Sequence, residues 1–169
     1  YKDLKLLRES FDAMGAGRRF RLVVAGSSHP NYPEESERQL AQLRPRPLEV
    51  EYVGYVPDEN LGRLLQRTRV VVLPYRTATG TSGVLHLVCH AGVPVVATDL
   101  PEFRELQEDG ASMLLTAQNP KSMAEMIQIL LEDDRLWKQM SQRNIEFSLS
   151  RSWDKVACEY VELYKGLMK

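Results

Sequence analysis

Residues 69–106, RVVVLPYRTATGTSGVLHLVCHAGVPVVATDLPEFREL, leave this chain few choices of fold. Val70, Val71, Val72 and Leu73 form an uninterrupted apolar run, the pattern of a parallel strand covered on both faces. Pro74 stops it. Residues 77–83 are small and polar, and Gly80 and Gly83 carry no Cβ. Residues 83–91 suit a short helix packed on a sheet, and residues 93–97 give a second buried strand. A strand that runs through a small-residue loop into a helix presents free backbone N–H groups, with the positive end of the helix dipole behind them. α/β proteins hold phosphates in this way. An ordinary surface turn has a similar composition, so the loop alone leaves both readings open.

The rest of the chain repeats the alternation. Residues 2–14 read as a helix with Leu4, Leu7 and Phe11 on one face, ended by Gly15 and Gly17. Strands are expected over 19–25 and 48–53, the second near a sheet edge because it alternates apolar and acidic residues. Residues 33–43 form a charged helix with Glu34, Glu35 and Glu37 on a solvated side. The preceding loop holds His29 and Tyr32, to which the pattern assigns no role. Asp58 is the expected N-cap of a helix through residue 67. Further on come a short helix over 103–107, a strand over 112–115 and a helix started by Asn119 and Pro120. Two more helices follow, over 133–147 and 153–167.

This order predicts a single α/β domain over residues 1–169. It is a Rossmann-like, doubly wound parallel sheet of about five to six strands with helices on both faces. A doubly wound domain ordinarily begins with a strand, whereas this sequence opens in a helix. The expectation is a fragment of a longer protein whose first strand lies outside it. Ligands of such sheets sit beyond the carboxyl ends of the strands. Residues 26–28, 54–57, 75–83 and 98–102 all fall there.

Composition narrows the partners. The 22 basic and 23 acidic residues give a net charge of -1, which offers no basic surface for nucleic acid. No apolar run approaches the ~20 residues that cross a bilayer. Cys89 and Cys158 lack metal or redox spacing and are expected as buried free thiols in a reducing, cytoplasmic setting. His86, Cys89 and His90 lie on one helix and the two histidines share a face, but the sequence places no fourth ligand, so no metal is expected.

Four segments in order, RLVVAGSS, VEYVGYVPDENLGRLLQRTRVVVLPY, SGVLHLVCHAGVPVVATDLPEFRELQEDG and SWDKVACEYVELY, resemble the C-terminal, donor-binding half of GT-B glycosyltransferases of the retaining family-4 type. The resemblance implies a nucleoside diphosphate sugar as donor substrate, no cofactor or obligatory metal, and an N-terminal acceptor domain supplied by the same protein. That domain would also account for any peripheral attachment to a membrane. By position, the resemblance assigns the donor diphosphate to Lys2 and to the loop of Thr79, Gly80, Thr81, Ser82, Gly83 and Val84. It assigns the base to Gly54, Tyr55, Val56 and Pro57. Arg76 is placed near a phosphate or the acceptor, His86 near a donor hydroxyl, and Glu105 near the sugar. Two departures stand out. The family has glutamates where Thr79 and Leu87 stand here, and Gly-Gly where Pro101 and Glu102 stand. The missing carboxylates leave the catalytic residues unknown. They also keep open a non-catalytic nucleotide-sugar-binding module, or a hydrolase or epimerase on the same fold. The stripe of Trp153, Tyr160 and Tyr164 on the last helix is expected either to mediate self-association or to fold back on the sheet.

Overall fold

The computed structural model of the chain describes residues 2–15, 21–26, 41, 49–77, 80 and 82–168. Its strands are β1 (Arg21–Ala25), β2 (Glu49–Gly54), β3 (Val71–Leu73), β4 (Val95–Thr98) and β5 (Met113–Thr116). Its helices are α1 (Leu4–Ala13), α2 (Asp58–Gln66), α3 (Gly83–His90), α4 (Pro101–Glu108), α5 (Pro120–Glu132), α6 (Asp134–Ser150) and α7 (Trp153–Leu167).

All paired strands are parallel. β4 is central, with Val95 opposite both Val71 of β3 and Met113 of β5. Every residue of β4 is buried, and the two-residue period sorts its side chains. Val95 and Ala97 join one apolar cluster with Leu85, Val88 and Cys89 of α3, Phe103 and Leu106 of α4, and Phe147 of α6. Val96 joins another with Leu6, Leu7 and Phe11 of α1 and Met123, Ile127 and Leu130 of α5. Helices therefore cover both faces, as a doubly wound sheet requires. Each large side chain so buried contributes about 1.5–3 kcal/mol.

The strands do not form one ladder. β1 pairs with β2, from Arg21 opposite Glu49 to Ala25 opposite Gly54, and β3, β4 and β5 form a second sheet. Both sheets belong to one layer, because Leu22 of β1 packs against the same cluster as Val70, Val72 and Val96. The ladder is interrupted because no described strand lies between β1 and β3.

Helix starts follow side-chain chemistry. Asp3, Ser82, Asn119, Asp133 and Ser152 each accept a hydrogen bond from the backbone N–H three residues on. Asp58 does not cap its helix. Pro57 occupies that position without a side-chain bond, and Asp58 is the first helical residue. The short helix expected from residue 103 begins at Pro101, whose fixed φ suits the first turn. Asn144 is fully buried on α6, where Oδ1 accepts from the Ser112 N–H at 2.7 Å and Nδ2 donates to the Val93 carbonyl at 3.2 Å.

The two thiols differ. Cys89 is buried and its pKa is pushed up to about 12 by desolvation, whereas Cys158 is exposed on α7. The last helix does not fold back. α7 buries none of its residues, and Trp153 is 86% exposed, Tyr160 55% and Tyr164 58%. The expected helix over 33–43 with Glu34, Glu35 and Glu37, and the loop with His29 and Tyr32, lie outside the described residues.

Candidate nucleotide-sugar site

Parallel strands put their carboxyl ends on one rim. β3 reaches it at Pro74 and Tyr75, and neighbouring elements pin its exit. The Tyr75 N–H donates to Thr98 Oγ1 at 3.1 Å, and the Thr98 hydroxyl donates to the Tyr75 carbonyl at 2.6 Å. Gln118 Nε2 donates to the carbonyls of Tyr75 and Arg76 at 3.1 and 3.2 Å. The Asp3 N–H donates to the Pro74 carbonyl at 2.6 Å, and Lys2 forms an isolated antiparallel bridge with Tyr75.

Lys2 and Arg76 therefore stand side by side, although 73 positions separate Asp3 from Arg76. Asp3 holds Arg76 to the start of α1. One carboxylate oxygen accepts from the Leu6 N–H at 2.9 Å and the other from Arg76 Nε at 2.8 Å. The Arg76 guanidinium holds the Asp3 carboxyl below its ordinary pKa; burial opposes it as the next largest effect, and the Leu6 N–H adds a smaller lowering.

Beyond Arg76 the loop reaches Gly80, whose φ of +135° is closed to side chains. Ser82 caps α3 by accepting from the Leu85 N–H at 3.4 Å. Gly83, the first residue of α3, is exposed, and a Cβ there would meet nothing within 4 Å. Among the described residues the amino end of α3 is thus uncovered, and Val84 in its first turn is exposed. Thr79 and Thr81 lie outside the described residues.

The neighbouring loops complete the rim. The Gly26 N–H donates to the Gly54 carbonyl at 2.8 Å, and the Tyr52 hydroxyl donates to the Gly26 carbonyl at 2.8 Å. These bonds tie the end of β1 to the loop of Gly54, Tyr55, Val56 and Pro57. Gly54 takes φ +65°, Tyr55 is 69% exposed, and Val56 and Pro57 are half-buried. After β4, Arg104 grips Asp99 through two bonds of 2.5 and 2.6 Å and holds that carboxyl below its usual range. Glu105 is exposed beside them on α4.

His86 is engaged elsewhere. Its ring stacks on Phe147 of α6 at 5.8 Å, and the Arg151 guanidinium sits 5.1 Å from the same phenyl ring. Burial, and then the Arg151 charge, push the His86 pKa down. His90 lies 3.1 Å from Ser148 Oγ. Leu87, on the same helix, is half in water. A groove of about 450 Å³ between α4 and α6, lined by Gln107, Asp109, Ser112, Arg143 and Glu146, opens beside the amino end of β5, away from the rim.

The sequence singled out Lys2, Arg76, Gly80, Ser82 and Gly83 but missed the groups that hold them. Asp3 was legible as a cap before Leu4. Thr98 and Gln118 carry no local signal, because their bonds span 23 and 43 positions.

The family model described as "Glycosyl transferases group 1" matches residues 1–133. The chain belongs to that family. Among curated glycosyltransferases, the D-inositol 3-phosphate glycosyltransferase of Corynebacterium urealyticum is 30% identical over 85% of this chain and 33% of its own length. The O-antigen chain mannosyltransferase B of Escherichia coli is 24% identical over 98% of this chain and 43% of its own length. The chain therefore spans a third to under half of these glycosyltransferases. Solved structures share the fold. The Anabaena protein HepE, solved with UDP, superposes with a TM-score of 0.80 at 18% identity, over 98% of this chain and 46% of its own. A glycosyltransferase of Rickettsia africae also gives 0.80, at 17% identity, over 100% of this chain and 45% of its own. The architecture is that of one half of a GT-B glycosyltransferase. No helix among the described residues is long and apolar enough to cross a membrane.

Proposed function

We propose that this chain is the donor-binding domain of a glycosyltransferase and holds a nucleoside diphosphate sugar for retaining transfer of the sugar. The acceptor belongs to an N-terminal domain of the same, longer protein. The observation that carries this reading is the open amino end of α3, capped by Ser82 and led by Gly83, on the same rim as Lys2 and Arg76. Backbone N–H groups at a helix start accept phosphate oxygens without any side chain. Two cations beside them offset the charge that grows on the diphosphate as the bond to the sugar breaks. Gly54, Tyr55, Val56 and Pro57 take the base, and Glu105 faces the sugar. His86, stacked on Phe147, has no part in this assignment. Family membership, and a similar fold solved with UDP, support the reading.

Calorimetric titration of UDP, GDP, ADP and their sugars into the chain tests it. The expected affinity is roughly high micromolar to millimolar, since on this reading the acceptor domain supplies the other half of the cleft. No binding of any nucleoside diphosphate at millimolar concentration removes the proposal. Without an acceptor domain the 169-residue chain is expected to transfer no sugar, and transfer to any acceptor refutes that division of labour.

A second reading, a nucleotide-sugar-binding module without turnover, draws on Leu87, an apolar side chain half in water where the resemblance expects a carboxylate. Restoring it by Leu87→Glu separates the two. Tighter donor binding in the variant favours the silent module, and unchanged or weaker binding favours a donor site adapted to leucine.

A further inference from the structure

Two of the three faces of α3 are occupied. Leu85, Val88 and Cys89 are buried in the cluster beneath the sheet. His86 stacks on Phe147 and His90 lies beside Ser148, so α6 takes the second face. Gly83 and Leu87, four apart, stand one above the other on the third face, with Val84 at its border. All three are exposed, Leu87 at 50%. A helix start that offers backbone N–H groups is thus followed, one turn on, by an aliphatic side chain in water that can neither donate nor accept a hydrogen bond. The direction of this face follows from what covers the other side. Asn144 of α6 bonds the Ser112 N–H ahead of β5 and the Val93 carbonyl ahead of β4, and Arg151 pairs with Asp109 at the end of α4. α6 therefore lies on the β5 side of α3, and the third face turns the opposite way. On that side α2 joins the same cluster through Leu61 and Leu65, and α2 starts from the loop of Gly54, Tyr55, Val56 and Pro57.

We infer that Leu87 is a specificity-determining residue of the donor site: it takes the pentose of the nucleoside by apolar contact, so the site does not select for the 2′-hydroxyl and accepts 2′-deoxynucleoside diphosphates and their sugars as well as the ribonucleoside ones. The inference rests on the donor reading above. With the diphosphate at Gly83 and the base at residues 54–57, the pentose that joins them crosses the third face of α3 where Leu87 stands. A site that hydrogen-bonds a substrate hydroxyl rejects the analogue that lacks it, because its own buried polar group is then left unpaired. An aliphatic wall leaves nothing unpaired when the hydroxyl is removed, and it separates the two forms only weakly.

Competition between the members of matched pairs, UDP with dUDP, GDP with dGDP and ADP with dADP, followed by ligand-observed NMR, reads the ratio of their affinities directly. In the parent chain the members of any pair that binds are expected to agree within about threefold. Leu87→Glu places a hydrogen-bonding carboxylate at the same exposed position, and the preference for the ribonucleotide is expected to rise to about tenfold or more. Leu87→Ala is expected to weaken both members of a pair alike, by about two- to fivefold, through lost apolar contact. A thermal melt of each variant checks that it folds as the parent does. Preference for the ribonucleotide by about tenfold or more in the parent overturns the inference and leaves the donor reading standing. A ratio that Leu87→Glu does not move, or affinities that Leu87→Ala does not change, overturn it as well, because Leu87 then touches no pentose. Failure of every nucleotide to bind at millimolar concentration is the distinct result that removes the donor reading, and this inference with it.

Discussion

Replacing Gly83 by aspartate separates folding from binding at the proposed phosphate site. A Cβ at this residue meets nothing within 4 Å, and Gly83 has no positive φ, so the backbone accepts a side chain without strain. Aspartate in the first turn of α3 also faces the positive end of the helix dipole, which stabilises by about 0.3–1 kcal/mol. The variant should therefore melt no lower than the parent. Binding behaves oppositely. A carboxylate about 4–6 Å from a phosphate charge, at an effective dielectric of about 20, is repelled by roughly 3–4 kcal/mol. That is about 100- to 1000-fold in Kd. Calorimetry with UDP and a thermal melt on the same preparation read both quantities, and Gly83→Ala controls for the bare Cβ. A folded aspartate variant that binds UDP like the parent would show that the diphosphate does not lie at this helix end.

Other perturbations test other parts of the molecule. Asn144→Leu strands the Ser112 N–H and the Val93 carbonyl at about 1–3 kcal/mol each, so the melting midpoint should fall by roughly 4–24 °C. A fall under about 2 °C means that the amide is dispensable. The lowered pKa of His86 makes the folded state bind its proton less readily than the unfolded chain. Its contribution is complete above the ordinary histidine range and is lost as pH falls through the lower folded value. Denaturant midpoints at pH 8 and pH 5 should drop less on acidification in His86→Phe than in the parent, and equal drops count against the effect. Tyr160→Lys with Tyr164→Lys should leave the midpoint nearly unchanged, because both rings are exposed. Sedimentation should show concentration-dependent association of the parent and its loss in the variant, and a strictly monomeric parent removes α7 as a contact surface.

Local chemistry in the sequence determined most of the fold. The apolar runs at 70–73 and 93–97 marked parallel strands, the second buried throughout and the first only half-buried at its valines, and the helix caps Ser82 and Asn119 and the glycine at Gly80 punctuate them by rules acting over three or four residues. The same locality marked the open helix start at Gly83 and the exposed rim residue Tyr55. It failed where a long-range alternative won. Asp58 looked like a cap, yet the chain turned one residue earlier at Pro57. His86 carries no local sign of the ring it stacks on, Phe147 of α6, 61 positions away. The aromatic stripe of α7 fits either a core or a contact surface by periodicity alone, and in the tertiary structure none of the helix's residues is buried. The pairing of Lys2 with Tyr75, the Asp3 bridge to Arg76 and the hold of Thr98 and Gln118 on the β3 exit exist only because parallel strands bring their carboxyl ends to one rim. Residue types and short-range periods are written along the chain, whereas which loops share that rim is decided by the order in which the strands pack.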